Sequence, residues 1–172
     1  KNIYEELDKN SYIYDSKGKI ISTLYDDEDR SIVKIDEMPE NLVHAFIAIE
    51  DKTFYKHKGI NVKRTIGAIV QKVLGKSESI SGTSTITQQL ARNVYLPDIK
   101  SERSIQRKIV ELYYALLIEK DLSKDEILEA YLNTVYFGYQ NYGIETAARS
   151  YFSKDVEDLT LEECAALAAL PQ

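Results

Sequence analysis

The sequence predicts a mainly α-helical domain with a small β element near its start. Three observations carry that reading. Apolar residues recur at helical spacing in one segment after another from about residue 39 onward. Two stretches, Ser123-Lys124-Asp125-Glu126 and Thr160-Leu161-Glu162-Glu163, have the Ser/Thr-x-x-Glu pattern of a capping box. β-Forming residues concentrate in one short run around Gly18.

Taken in order, Tyr12-Ile13-Tyr14 and Ile20-Ile21 flank a turn at Gly18, whose glycine can take positive φ, and predict a hairpin. The pattern turns helical after Pro39, which suits a first helical turn, with Leu42, Phe46 and Ile49 on one side. Gly59 ends that unit. Residues 62–74 form a second amphipathic stretch, with Ile66, Ile69, Val70 and Val73 together. The polar residues 75–82 read as a mobile loop. A helix from about Thr85 to Tyr95 ends before Pro97. The next, from Ser104 to about Lys120, is expected to turn Ile105, Ile109, Leu112, Leu116 and Leu117 inward. The two capping boxes open a helix carrying Ile127, Leu128, Tyr131, Leu132 and Val135 and an alanine- and leucine-rich terminal helix.

The bulk properties narrow the function. At 172 residues, with 44% hydrophobic and 29% charged residues, the chain is an ordinary globular domain and not a disordered one. Its 22 basic and 28 acidic residues give a net charge of −6, and no basic stripe supports nucleic-acid binding. An anionic ligand therefore needs a local basic cluster. The lone Cys164 lies in an apolar helical run and reads as a buried side chain. No apolar run approaches the ~18 residues of a transmembrane helix. The chain begins at Lys1 and stops at Pro171-Gln172 directly after an apolar helix, and reads as a piece of something longer.

Four clusters carry candidate chemistry, each with a plainer alternative. In Glu50-Asp51-Lys52-Thr53-Phe54-Tyr55-Lys56-His57-Lys58-Gly59, adjacent carboxylates follow an apolar run, and burial of one would suit a general base. An exposed acidic helix end, with His57 as a capping or core residue, is the alternative. In residues 81–93, the hydroxyls of Ser84 and Thr85 stand at a helix N-terminus. Thr85, Gln88, Gln89 and Arg92 form a polar stripe suited to sugar hydroxyls or an anion. An N-cap with a solvated face would look the same. In residues 103–111, Arg107 and Lys108 precede Glu111 by one helical turn, which suits a pyrophosphate grip or an ordinary surface ion pair. The helix with Glu129, Tyr131 and Asn133 reads, alone, as structural. Two histidines and one cysteine, far apart, cannot build a zinc site.

The order of these clusters is more specific than any of them. Glu50-Asp51-x-x-Phe54-x-x-His57-x-Gly59, Gly82-x-Ser84-Thr85-Ile86-Thr87-Gln88-Gln89, Arg107-Lys108-x-x-Glu111 and Ile127-Leu128-Glu129-x-Tyr131-Leu132-Asn133 follow one another. The series resembles the motifs of the family 51 glycosyltransferases, the peptidoglycan glycosyltransferases of class A penicillin-binding proteins and their monofunctional relatives. The likeness runs over residues 38–172, with residues 1–37 as an N-terminal β element or linker. The last family motif would continue past residue 172.

The resemblance implies a lysozyme-like, two-lobed fold whose smaller lobe, with residues 60–83, meets the membrane. It implies polymerisation of lipid II into β-1,4-linked glycan strands, with release of undecaprenyl pyrophosphate and inversion at the donor anomeric carbon. By motif position Glu50 is the expected general base. Glu111 is the second catalytic carboxylate, near the donor pyrophosphate, with a divalent cation, Mg²⁺ or Mn²⁺, as the one cofactor. Asp51, Phe54, His57, Ser84, Thr85, Gln88, Gln89, Arg92, Asn93, Arg103, Arg107, Lys108 and Asn133 are the expected substrate-binding residues. Asp51 and His57 would orient the first loop. Arg92 stands where relatives often carry lysine, and Val110 where some carry a basic residue. The implied partners are lipid II, the growing glycan, the cell-wall machinery and the outer face of the bacterial cytoplasmic membrane, with the anchor outside this chain. Inhibition by a phosphoglycolipid such as moenomycin follows from the same likeness. The alternatives are a lysozyme-like glycan-cleaving enzyme, which would need a protonated glutamic acid and no phosphate grip, and a non-catalytic cell-wall scaffold.

Overall fold

The computed structural model of the protein describes residues 11–14, 20–24, 32–74, 84–96 and 105–171. Among them are seven α-helices: α1 (Glu40–Glu50), α2 (Val62–Val73), α3 (Ile86–Tyr95), α4 (Ile105–Asp121), α5 (Lys124–Thr134), α6 (Ile144–Phe152) and α7 (Leu161–Ala168). The domain is mainly helical, as the periodicity predicts. Two short strands, β1 (Ser11–Tyr14) and β2 (Ile20–Leu24), pair antiparallel. The expected turn at Gly18 lies outside the described residues, as do the expected mobile loop at residues 75–82 and Arg103.

The core forms around α5 and α3. Every residue of α5 from Ile127 to Thr134 is buried, the pattern of a helix enclosed on all sides. Its start is fixed by the expected capping box, in which Ser123 Oγ accepts the Glu126 N–H and Glu126 Oε2 accepts the Ser123 N–H at 2.7 Å. Helix α3 packs against both α4 and α5 and buries Ile86, Leu90, Ala91 and Val94. Helix α1 packs on α7 and sends Phe46 inward, where its ring meets Tyr131 and Phe137 edge-on at 6.2 and 6.0 Å. The capping box at Thr160 opens α7 as expected, and Cys164 is buried.

Two expected apolar faces are reassigned. Ile49 is exposed, so α1 buries Leu42 and Phe46 only. On α4, Ile109, Leu116 and Leu117 face outward, and the inward stripe is Glu111, Ala115 and Ile118. A hydropathy reading passes over that stripe because it holds a carboxylate and an alanine. Its burial is decided by what α3 offers opposite it.

Candidate active site

The helix ends converge on one region because short polar contacts tie them there. Helix α1 stops at Glu50, and Asp51 leaves helical geometry with φ −155° and ψ 77°. The chain then makes a tight turn through Phe54–Lys56 and reverses at Gly59, whose φ is +81°. A side chain at Gly59 would stand 3.1 Å from the Ala115 carbonyl oxygen, so glycine lets this loop lie against α4.

Asp51 is the fully buried carboxylate of the adjacent pair. Its Oδ2 accepts the Ile86 N–H at 3.2 Å, at the start of α3, and lies 2.7 Å from His57 Nε2. A negative charge there satisfies a helix N-terminal donor and opposes the positive end of the helix dipole. Thr85 closes the same junction. Its hydroxyl donates to the Gly59 carbonyl at 2.6 Å and accepts the Gln88 N–H, while Gln88 Oε1 accepts the Thr85 N–H at 3.1 Å. That third capping box, Thr85-x-x-Gln88, is as legible in the sequence as the other two and is absent from the expectations above.

Glu50, partly open, faces α3. Its Oε2 accepts from Gln89 Nε2 at 2.7 Å, and Gln89 Oε1 accepts from the Tyr131 hydroxyl at 3.3 Å. Arg64, near the start of α2, donates to the Glu50 carbonyl oxygen at 3.4 Å.

The second carboxylate is more deeply set. Glu111 has no exposed side-chain surface, unlike a surface ion pair. Lys108 Nζ donates to Glu111 Oε1 and reaches across to Ser84 Oγ at 3.0 Å and Gln88 Oε1 at 3.4 Å. Arg107 Nη1 lies 3.6 Å from Glu111 Oε2. Lys108 keeps 35% of its side-chain surface exposed, so its ammonium is held by protein on one side and open on the other.

The adjacent residues Gln88 and Gln89 therefore join the two clusters. Gln89 holds Glu50, and Gln88 meets the lysine that holds Glu111. Folding removes the 61-residue separation of the two glutamates (111 − 50).

The expected site residues fall into two groups. Glu50, Ser84, Gln89, Arg92, Asn93 and Lys108 are at least partly exposed and line this region or the α3 face beside it. Asp51, Thr85, Gln88 and Glu111 are buried and hold it together. His57 keeps only 8% of its side chain exposed and joins Asp51 in that task. Two further residues of the expected set, Phe54 and Asn133, are buried. Phe54 is fully buried, with Lys124 Nζ 4.5 Å above its ring. Asn133 spends its amide on the backbone, accepting the Val33 N–H at 3.0 Å and donating to the Val33 and Glu129 carbonyls at 2.9 Å each. It clamps the N-terminal segment onto α5.

The donor set does not fit a protein-held divalent cation. Both oxygens of Glu111 face cationic side chains, and no group of three His, Cys, Asp or Glu able to hold a metal gathers among the described residues. Divalent cations in oxygen sites usually share several carboxylate or carbonyl ligands.

The profile of the transglycosylase family matches residues 17–172. The chain belongs to the transglycosylase family. Its curated relatives agree. Penicillin-binding protein 1A of Clostridium perfringens (strain 13) is 48% identical over 171 residues, covering 98% of this chain and 25% of that protein. Penicillin-binding protein 1A of Clostridium tetani is 48% identical, covering 94% of this chain and 20% of that one. Penicillin-binding protein 1F of Bacillus subtilis is 44% identical, covering 96% and 22%. The chain thus spans a quarter or less of the length of these relatives. It is a transglycosylase domain of the kind class A penicillin-binding proteins carry, a glycosyltransferase of cell-wall synthesis. Among the described residues of this transglycosylase domain, no helix is long and apolar enough to cross a membrane.

Proposed function

We propose that this domain polymerises lipid II into β-1,4-linked glycan strands, releasing undecaprenyl pyrophosphate with inversion at the donor anomeric carbon. One observation carries the reading: consecutive glutamines of α3 link a partly open carboxylate, Glu50, to a cationic cluster built on Glu111. Inversion by direct displacement needs a base on the acceptor side and charge stabilisation on the leaving-group side.

Glu50 is the base that takes the proton of the acceptor sugar's 4-hydroxyl as that oxygen attacks. The leaving pyrophosphate gathers negative charge, and Lys108 is the open cation that meets it, with Arg92 on α3 and Arg107 beside it. Glu111 acts through these cations. A buried carboxylate fixes the lysine between Ser84 and Gln88. Departure of the phosphate thus runs through Lys108 and the arginines.

The acceptor and donor are lipid-linked, so the domain works at the outer face of the cytoplasmic membrane, anchored from outside this chain. The apolar stripe Val62, Ile66, Val70 and Leu74, exposed on and just beyond α2 at four-residue spacing, supports a membrane-facing role for that helix. The likeness to lysozyme in fold and the small lobe at residues 60–83 belong to the same proposal.

The test is polymerisation of lipid II in detergent by the full chain and its Glu50→Gln variant, with products resolved by length. Glycan strands from the parent and none from a folded variant support the reading. Strands from both remove Glu50 as the base.

A further inference from the structure

We propose that Tyr131 is a positioning residue for Glu50, acting through the side-chain amide of Gln89. This rests on the reading of Glu50 as the base and adds a group that holds it ready.

The argument is one of hydrogen-bond direction. An ionised carboxylate only accepts, so Gln89 must turn its NH₂ group to Glu50, as it does at 2.7 Å. The Gln89 carbonyl oxygen then points the other way and needs a donor. The Tyr131 hydroxyl supplies one at 3.3 Å. Tyr131 is itself fixed: it is fully buried in the middle of α5, and the Phe46 ring packs against it edge-on at 6.2 Å. Phe46 lies one turn before Glu50 on α1, so a single aromatic contact sets the helix that carries the carboxylate and the phenol that orients its amide partner.

The phenol is held in its neutral, proton-bearing form. Burial raises its pKa far above the usual tyrosine range, and the nearby negative charge of Glu50 raises it further, against a smaller opposing effect of Arg92. A neutral phenol remains a donor at any pH where the enzyme works. The chain from phenol to amide to carboxylate therefore holds the Glu50 oxygen in one place beside α3.

Removing the phenolic oxygen leaves the Gln89 carbonyl with no donor in that orientation, and the amide is free to turn. Glu50 then loses the hydrogen bond that holds its oxygen in place.

The experiment is lipid II polymerisation by the full chain as parent, Tyr131→Phe, Gln89→Met and Glu50→Gln, with initial rates measured across pH and melting temperatures alongside. For Tyr131→Phe we expect kcat to fall about tenfold, well inside the loss that misplacing a reacting group can cause, with KM changed less than about twofold. Gln89→Met should lower kcat in the same way, and serves in place of Tyr131→Phe if that variant does not fold. A purely structural tyrosine would lower the melting temperature and the amount of active enzyme while leaving kcat per active molecule at the parent value. A Glu50→Gln variant without activity, together with Tyr131→Phe and Gln89→Met profiles superimposable on the parent, overturns the positioning role and leaves the base intact. Activity retained in Glu50→Gln overturns the base and this inference with it.

Discussion

Replacing Lys108 with methionine tests whether the second cluster is a buried ion pair or a surface decoration. Methionine keeps most of the side-chain volume and removes the charge. In the parent, the ammonium is shared by Glu111 Oε1, Ser84 Oγ at 3.0 Å and Gln88 Oε1 at 3.4 Å. Without it, Glu111 is a carboxylate with no exposed surface, whose remaining cation is Arg107 at 3.6 Å. Breaking a buried pair from one side costs about 3–5 kcal/mol. Lys108 is one-third open, so water can take up part of the missing interaction, and about 2–3 kcal/mol is the expected loss. For a domain of this size that lowers the melting temperature by roughly 5–10 °C.

A double-mutant cycle with Glu111→Gln separates the pair from its surroundings. Glutamine keeps a hydrogen-bonding group for Arg107 while removing the charge that Lys108 neutralises. The double variant should be less destabilised than the two singles summed, by about 1.5 kcal/mol or more. Denaturant unfolding followed by near-ultraviolet circular dichroism suits the measurement, since the chain has thirteen tyrosines and no tryptophan to dominate the signal. A Lys108→Met loss under about 0.5 kcal/mol, with coupling indistinguishable from zero, is the outcome expected of an ordinary exposed pair and would refute the reasoning.

Two further predictions concern the frame around the site. Gly143 has φ +84°, and a side chain there would stand 2.8 Å from the Asn133 carbonyl oxygen, so Gly143→Ala should cost about 2–4 kcal/mol in denaturant unfolding. The Glu126 carboxyl is held below its usual 4.5 by the Ser123 N–H and then by the Ser123 hydroxyl. A depressed folded value contributes stability above 4.5 and loses it as the pH falls through the lower value. Acid unfolding should therefore be shallower in Glu126→Gln, with the slopes of unfolding free energy compared between about pH 5 and 3.

Legibility in the sequence followed the range of the interactions. The capping boxes at Ser123 and Thr160 could be read because the contact is three residues long and its chemistry is written in two letters. The burial of α5 was half-legible: its apolar residues gave the inward side, but Glu129 and Asn133 are buried because they bind Lys34, Ile35 and Val33, about a hundred residues back in the chain. The apolar side of α4 was misread for a related reason. Hydropathy ranks leucine over alanine and glutamate, while the fold ranks what fits against α3, and there Ala115 and Glu111 fit.

The site divides along the same line. Glu50, Gln89, Lys108 and Glu111 were legible with expected roles through the ordered motifs, but the contacts that hold them were not, because those depend on which polar atoms remain open after packing. Asp51 and Glu50 are neighbours in sequence and look interchangeable as candidate bases. Packing distinguishes them. Asp51 is consumed by the Ile86 N–H and His57, and a carboxylate whose oxygens satisfy a helix terminus in the interior has no face left for a sugar hydroxyl. Glu50 keeps an open side and has one oxygen held by Gln89. The same test separates Lys108, open on one side, from the Glu111 that carries it. In the proposed reaction the working groups, Glu50 and Lys108, are thus ones that the packing leaves partly open.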